Sequence, residues 1–449
     1  MFKRKPPKTG KEILKLAKKE EIEIIELQFS DLTGRPKKLE VEAIQLEYVL
    51  KDGLWYDGSS IEGHGRIAES DMRLIPDFST FVILPNCPDC KTARFICDVF
   101  TPDGKPFEGD PRYILKKIIS LARRNGLAYF VGPELEFFLF DRSKLPEITP
   151  HDRRGYFDDS GRGRSSDLLR KVMRSLPAFD IQGECQHHEV APGQHEIDIK
   201  YDEVLKMADS VMTIKRLLKA YDDEFGLKVT FMPKPISGIN GSGMHVHQSL
   251  FSIKNDVVEK NIFFSSRDRF KLSEIALNFI AGQLKYAKAM CALVASSVNS
   301  YKRLVPGYEA PVNICWGQTN RSALIRVPRV TEKRHSSTRL ELRCPDPYCN
   351  PYLAFAAMLA CGLDGILNKL EPPEPVNENV YEINSEQKQE LQIDILPKNL
   401  EEAICELQKC EPLLDLLGEE TMKKFVSVCQ KDIETARLEV TPWEIDRYL

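Results

Sequence analysis

The chain of 449 residues has no run of eighteen consecutive apolar residues, which excludes a membrane-crossing helix recognisable by hydropathy. A secretory leader is also missing. Residues 1–11 are basic (KRKPPKTGK) without an apolar core and read as a solvated tail, so a cytoplasmic protein is expected. Charge of one sign is not in excess. The 63 Lys and Arg against 67 Asp and Glu leave a net charge of −4, with no global attraction to nucleic acid or a membrane surface. The phosphate loop G-x-x-x-x-G-K-[ST] is absent, so any nucleotide must be held differently. Gly63 to Ala68 matches G-x-G-x-x-A but neither follows a clear strand nor opens a convincing helix, which argues against a dinucleotide fold. Cys87 and Cys90 have C-x-x-C spacing, but no second pair completes a zinc site. The twelve cysteines therefore read as reduced thiols. There is no internal repeat and no low-complexity tract.

What the chain does have is seven acidic or imidazole side chains on four short stretches of strand-like alternation. GPELEFFLF carries Glu134 and Glu136. HHEVAPGQHEID carries Glu189 and Glu196. GSGMHVH carries His245 and His247, and STRLELR carries Glu341 with Arg339 and Arg343. Side chains two apart on a strand share a face. Each polar face here is backed by an apolar one, such as Leu135, Phe137 and Leu139 behind Glu134 and Glu136. Ala191-Pro192-Gly193 signals a turn. A four-residue loop from Ala191 to Gln194 would set Glu189 opposite Glu196, a like-charge pair that a sheet disfavours. Five carboxylates either stand apart in solvent or are held together by divalent cations. Any single E-x-E motif is better explained as the wet face of an edge strand. Four such stretches together, three of them with glycine or proline, favour a site.

Organisation along the chain predicts two parts. Residues 22 to about 99 are strand-rich, and Thr101-Pro102-Asp103-Gly104 breaks the chain. Asp110-Pro111 opens a helix that Asn125-Gly126 closes, with Ile114, Leu115, Ile118, Ile119 and Ala122 as its apolar stripe. Long helices are expected over 202–225, 272–297 and 351–370, with two more near the C-terminus. Residues 153–167 read as a loop and 377–396 as an exposed polar segment. Arg303, Arg321, Arg326, Arg339 and Arg343 form a candidate anion-binding group. Arg326 and the pair around Leu340–Leu342 lie among apolar residues, which favours cleft positions with anionic partners. Carboxylates with one imidazole suit Mg²⁺ or Mn²⁺. Together with the arginines they would serve phosphoryl transfer, which activates a carboxylate for amide formation.

WYDGSSIEG (55–63), NSYKRLVPGYEAP (299–311), NRSALIRVP (320–328) and RCPDPYCNPYLAFAA (343–357) complete a pattern that resembles the glutamine synthetase family from about Ile24 to the C-terminus. It is most similar to the prokaryotic type I branch with the shorter, alpha-like subunit. The resemblance implies an α+β fold. A tail or helix over 1–20 would precede a small β-grasp-like N-terminal domain over 21–105. A large catalytic domain over 110–449 would follow, built on a curved antiparallel sheet flanked by helices. It implies ATP-dependent ligation of ammonia to the γ-carboxylate of L-glutamate through γ-glutamyl phosphate, with ATP as substrate and two or more Mg²⁺ or Mn²⁺ per site.

Residue by residue, one ion would take Glu136, Glu189 and Glu196, the other Glu134, His245 and Glu341. Arg303 and Arg343 resemble the residues that hold the carboxylates of glutamate, with Asn240 and Gly241 at its amino-acid end. Arg321, Arg326, Arg339 and His247 resemble phosphate contacts, and Glu184 and Tyr201 resemble ATP contacts. Asp57, Tyr156 and Glu189 resemble the ammonium site, with Asp57 taking the proton. Glu309 resembles the flap carboxylate that closes over the intermediate, and Arg66 an arginine linked to inhibition by glutamine. The resemblance also implies a homododecamer of two stacked hexamers with active sites between subunits. PII-type or other nitrogen-regulatory proteins are candidate partners, and nucleic acid and membrane are not. The loop near Gly155 is shorter than is usual in the family. The surroundings of Tyr381 do not resemble an adenylylation site, so none is expected. Two alternatives stand beside this reading: a relative that uses methylamine or a polyamine, and a non-catalytic member. The presence of Asp57, Tyr156 and Glu309 favours ammonia over the first. The intact metal and phosphate set disfavours the second.

Overall fold

The computed structural model describes residues 9–59, 61, 71–85, 90–159, 161–307, 310–318, 320–330, 332–380, 382–391 and 393–449. Arg66, Glu309, Tyr381, Cys87 and the glycine motif at 63–68 lie outside them. Helix α1 (Gly10–Lys19) begins where Thr9 and Glu12 cap each other's backbone N–H groups, and it buries Ile13 and Ala17. The strands β1 (Ile24–Ser30), β2 (Pro36–Glu42), β3 (Leu54–Asp57), β4 (Asp71–Pro76), β5 (Val82–Ile83) and β6 (Thr92–Phe100) form one sheet in the order β2-β1-β6-β4-β3, with β5 on β6. The β1–β6 pair is parallel and the others are antiparallel. Alternation in β1 sends Ile25, Leu27 and Phe29 into a small core with Val49 of α2 (Leu46–Asp52), Phe95 and Ile13.

After this domain comes α3 (Pro111–Arg124), capped by Asp110, which accepts the Arg112 N–H at 3.0 Å. Its stripe of Ile114, Leu115, Ile118 and Ala122 is buried. The second sheet is organised on β7 (Leu127–Asp141). Joined to it are β8 (Gly183–His188), β9 (Gln194–Ile199), β10 (Asp202–Glu203), β11 (Leu227–Thr230), β12 (Val246–Lys254), β13 (Val257–Asn261), β14 (Asn313–Gln318), β15 (Ala323–Val327), β16 (Leu340–Leu342) and β17 (Asp394–Ile395). The main path runs β17-β14-β15-β16-β12-β7-β9-β8. It is antiparallel except for the parallel β14–β15 pair. Leu135, Phe137 and Leu139 of β7 face a large core shared with α4 (Arg164–Ser175), α5 (Val204–Tyr221), α6 (Glu274–Lys285), α7 (Ala287–Val294), Tyr301 of the short α8 (Ser300–Arg303), and α9 (Pro351–Leu367). No helix among the described residues is long and apolar enough to cross a membrane.

Four segments differ from the sequence reading, the first being the C-terminal part, where four helices (Leu400–Gln408, Glu411–Leu417, Glu419–Leu438 and Pro442–Tyr448) stand in place of the two expected. The helix expected over 272–297 is two helices, because Tyr286 leaves helical geometry (φ −102°, ψ 12°) where its hydroxyl donates to Asp364 at 2.7 Å. The loop expected over 153–167 already turns helical at Arg164. The segment 377–396 is not wholly exposed. Val380 and Ile383 pack with Val376 on Cys315 and Ala323, and β17 pairs with β14. These two apolar residues were diluted among polar ones, which hid their burial.

Buried charge joins the two domains. Arg112, 3% exposed, donates to Asp77 at 2.8 Å, Asp98 at 2.7 Å and Asp209 at 3.1 and 2.9 Å. Arg216 pairs with Glu26 at 2.7 Å, and Asn350 donates to the carbonyls of Asp31 and Leu32 at 3.2 Å. Arg112→Met should strip the shared guanidinium from three half-buried carboxylates, leaving Asp77 and Asp98 to Lys116 and Asp209 to the Tyr352 hydroxyl, and cost about 3 kcal/mol. It should lower the thermal unfolding midpoint far more than substitution of the exposed Lys105. Equal midpoints for the two variants would refute a linking role for Arg112.

Candidate active site

Strand register decides which side chains meet. Glu136 of β7 lies directly opposite Glu196 of β9, and Glu134 opposite Asp198. Across β7 on the other side, Val246 and His247 of β12 pair with Pro133 and Gly132, so His245 and His247 flank Glu134. His247 pairs onward with Glu341, and Glu341 with Arg326. Carboxylates from three strands thus share one face of the sheet.

Two groups form on that face. In the first, ligand atoms of Glu134, His245 and Glu341 lie within 4.8 Å of one another. Glu134 accepts His247 Nε2 at 2.7 Å and faces His245 Nδ1 at 3.2 Å. Arg339 Nε donates to His247 Nδ1 at 3.2 Å, so His247 carries its proton on Nε2 and points it at Glu134. Glu341, 2% exposed, accepts Arg326 Nη1 at 2.5 Å and Arg343 Nε at 3.1 Å. Burial alone would raise both carboxyls. The hydrogen bonds and charge of His245 and His247 hold Glu134 well below the ordinary range, and His245, His247, Arg343 and Arg326 lower Glu341.

The second group has the opposite electrostatics. His187, Glu189 and Glu196 come within 4.8 Å of one another, and Glu136 faces Glu196 across the ladder. Glu136 accepts Gln194 Nε2 at 2.8 Å and the Gly243 N–H at 3.0 Å. Gly243 has to be glycine here, because a Cβ would stand 2.5 Å from Arg303 Nη2. Burial first and Glu189 second push the Glu136 carboxyl up to about 8. Burial first and Glu136 second push Glu196 up as well. The two groups therefore offer oxygen-rich donor sets with an imidazole each, one already charge-balanced and one not. Both fit hard divalent cations.

The hairpin differs in register from the sequence expectation. His187, not Glu189, lies across from Glu196, and His188 pairs with His195. Six residues lie between the paired His188 and His195, and the Gln194 N–H donates to the Ala191 carbonyl at 3.0 Å. A slip of two residues keeps the same face, so Glu189 still reaches the cluster. His187, Gln194 and Gly243 were missed as site residues. His187 alternates with Glu189, which was a usable signal. Gln194 carried none.

The remaining candidates are spread around this centre. Arg303, 3% exposed, is fixed by the carbonyls of Arg343, Cys344 and Pro345 at 2.9 to 3.2 Å. The Gly241 carbonyl accepts Gln194 at 3.1 Å, which ties the Asn240–Gly241 turn to Glu136. Arg326 Nε is buried with no hydrogen-bond partner among the described residues, a donor left for an anion. Arg321 is exposed. Tyr156, half exposed, meets the His187 ring edge-on at 5.7 Å, and burial and then Glu189 raise its hydroxyl. Glu184 and Tyr201 lie exposed at the far end of β8 and β9. Asp57 ends β3 in the other sheet, exposed, and accepts the Ser59 N–H at 2.8 Å.

Comparison with known proteins settles the relationship. Residues 108–448 match the family model of the glutamine synthetase catalytic domain, and 21–102 that of the glutamine synthetase beta-grasp domain. The chain belongs to the glutamine synthetase family. Among curated family members, the glutamine synthetase of Thermotoga maritima is 48% identical over 97% of this chain and 98% of its own. That of Thermus thermophilus is 47% identical over 98% of this chain and 99% of its own. Among solved structures, GmaS in complex with ADP superposes with a TM-score of 0.87 at 29% identity, covering 97% of this chain and 98% of that one. Glutamine synthetase of Plasmodium falciparum gives the same TM-score at 26% identity and covers both chains fully. Members of the family use ATP and divalent metal.

The raised carboxyls predict a pH dependence. In the metal-free protein they ionise above the ordinary 4.5. The folded state then binds more protons than the unfolded one, and stability falls as pH rises from about 4.5 toward about 8. A bound cation displaces those protons and reverses the loss. The gain in unfolding midpoint on adding Mn²⁺ should be larger near pH 8 than near pH 6. An equal gain at both would show that Glu136 and Glu196 do not hold the ion.

Proposed function

We propose that this chain ligates ammonia to the γ-carboxylate of L-glutamate at the expense of ATP, releasing glutamine, ADP and phosphate. The observation that carries the reading is the pair of carboxylate groups on one sheet face, one balanced by imidazole and arginine and one crowded with like charge, in a chain of this family. Mg²⁺ or Mn²⁺, when bound, would neutralise phosphate charge. Glu134, His245 and Glu341 would hold one ion, and Glu136, Glu189 and Glu196 the other.

In this reading Arg326, Arg339 and His247 face the phosphates, and the spare Nε of Arg326 supports that role. Arg321 would reach the transferred group from the rim. Glu184 and Tyr201 would border ATP at the far end of β8. Arg303 and Arg343 would bind the two carboxylates of glutamate, with Asn240 and Gly241 at its amino-acid end. The three carbonyls on Arg303 pre-orient its guanidinium, which lowers the cost of ordering it on binding. γ-Glutamyl phosphate would form by attack of the γ-carboxylate on the terminal phosphorus of ATP, with ADP leaving. Ammonium would lodge against Tyr156, Glu189 and Asp57, and Asp57 would take its proton so that the nitrogen lone pair attacks the acyl carbon and phosphate departs. Glu309 would close over the intermediate and exclude water. Arg66, close in sequence to Asp57, would couple the segment that carries the ammonium base to inhibition by glutamine.

Asp57 sits on a different sheet from the cluster it must serve. This supports an oligomer in which one subunit's small domain completes the neighbour's site, in the family's form of two stacked hexamers. The C-terminus supports the same reading, since Leu438, Val440, Trp443 and Tyr448 are 65–81% exposed in the single chain. A cytoplasmic location and PII-type or other nitrogen-regulatory partners belong to this proposal. A relative that joins glutamate to methylamine or a polyamine is less favoured, because Asp57, Tyr156 and Glu309 are all present.

Two experiments test it. With glutamate, Mg-ATP and a panel of amines, ammonia should give the highest kcat/KM, and a preference for methylamine would transfer the chain to the alternative. Asp57→Asn should keep ATP and glutamate binding and phosphate release, while glutamine formation falls by about 10²–10⁴-fold. Loss of ATP binding in that variant would give Asp57 another role.

A further inference from the structure

Behind the carboxylate face, a second cluster takes no part in the chemistry above. His151 and Asp152 lie on the loop after β7, His188 ends β8 and His195 follows the start of β9. One ligand atom from each lies within 4.8 Å of all the others. His188 pairs with His195 across the hairpin, and His195 pairs with Phe137 of β7. Phe137 faces the core, so these imidazoles point away from Glu136 and Glu196. All four side chains are withdrawn from water. His188 and His195 are 4% and 2% exposed, and the His151 and Asp152 side chains 6% and 12%.

The polar contacts do not close by themselves. His151 Nε2 and His195 Nε2 are 2.8 Å apart, and His188 Nε2 is 3.1 Å from Asp152 Oδ1, which also accepts the Gly193 N–H at 2.9 Å. Asp152 Oδ2 is buried without a hydrogen-bond partner among the described residues. Basic nitrogens near it are His151 Nε2 at 3.5 Å and Arg154 Nη1 at 3.8 Å. His188 Nδ1 is already committed to the Glu189 carbonyl at 2.7 Å. That bond fixes the ring and turns Nε2 inward, the usual outer support of a metal-bound histidine.

We propose that His151, Asp152, His188 and His195 form a structural Zn²⁺ site on the face of the sheet opposite the carboxylate cluster. Three imidazoles and a carboxylate are a donor set that zinc accepts in four-coordinate tetrahedral form. A tetrahedron with bonds of ~2.0–2.1 Å has edges of roughly 3.3–3.4 Å. The separations of 2.8 Å between the Nε2 atoms of His151 and His195 and 3.1 Å between His188 Nε2 and Asp152 Oδ1 approach this with small side-chain rotations. The site has no open position for substrate, which makes it structural. The ion would tie the 151–152 loop to the β8–β9 hairpin. Each hairpin histidine is followed directly by a carboxylate of the catalytic face, His188 by Glu189 and His195 by Glu196. Zinc would thereby hold those two carboxylates in place from behind.

The test uses the full-length oligomer stripped by chelation and titrated with Co²⁺, whose tetrahedral complexes absorb strongly in the visible. One Co²⁺ per chain should give a tetrahedral spectrum that Zn²⁺ abolishes. The spectrum should persist in Glu136→Ala and in Cys185→Ser, which removes the thiol of the nearby Cys185, His187 and Asp198 group. His151→Ala and Asp152→Asn should each weaken the binding by more than about tenfold. Asp152→Asn preserves shape, so its loss of binding with an unchanged circular dichroism spectrum excludes misfolding as the cause. Absence of a tetrahedral spectrum in the parent, its survival in both His151→Ala and Asp152→Asn, or its loss in Glu136→Ala or Cys185→Ser would each overturn the proposal.

Discussion

Repulsion between carboxylates on one sheet face is the constraint around which the site is arranged. Glu136 and Glu196 stand directly across a ladder, and Glu134 stands across from Asp198. Such pairs destabilise a sheet unless something positive intervenes. The chain answers this in two ways. Around Glu134 and Glu341 it supplies its own partners, with the imidazoles of His245 and His247 and the cations of Arg326 and Arg343 in contact. Around Glu136, Glu189 and Glu196 the direct contacts among the described residues are an imidazole and neutral N–H donors, and Arg303 offsets the crowding at Glu136 only in part. The first group is thus compatible with the empty state. The second carries carboxyls that burial and their like-charged neighbours push above the ordinary range.

The scaffold absorbs this cost. The same strand that carries Glu134 and Glu136 buries Leu135, Phe137 and Leu139 on its back, each fully or nearly fully withdrawn from water. Full burial of one such side chain is worth about 1.5–3 kcal/mol. Three of them set against the cluster hold β7 in register, because a one-residue slip would put the carboxylates into the core. The Arg112 network then fixes the small domain on the large one, so that β3 and its terminal Asp57 keep a defined place on the surface. Rigidity of this kind is what a site that joins several substrates requires, since the reacting groups have to meet with little further ordering.

Much of this was legible from residue order alone. Period-two alternation placed Glu134 with Glu136, His245 with His247, and Arg339 with Glu341 and Arg343, because a strand admits only two faces. The capped helix after Asp110 was readable from its Asp, its Pro and its apolar stripe. The long motifs identified the family and with it the α+β architecture. Where local signals were weak, the reading failed. Tyr286 has no breaker beside it, and the break falls where its hydroxyl bonds a distant helix. Val380 and Ile383 were hidden in a polar segment because two apolar residues make no period.

Residue order by itself determined the chemistry available: which side chains could share a face, that they were hard oxygen donors with imidazole, and that arginines accompanied them. Tertiary structure alone decided the pairing between strands far apart in the chain. Only the register shows that Glu136 faces Glu196, that Gln194 rather than Glu189 closes on Glu136, and that Arg326 and Arg343 grip Glu341. It also brings His151 to His195 behind the site, across 44 positions of sequence. The reason is physical. Alternation along a strand follows from local backbone geometry, whereas the partner across the ladder is chosen by the packing of both faces at once, which no local stretch encodes.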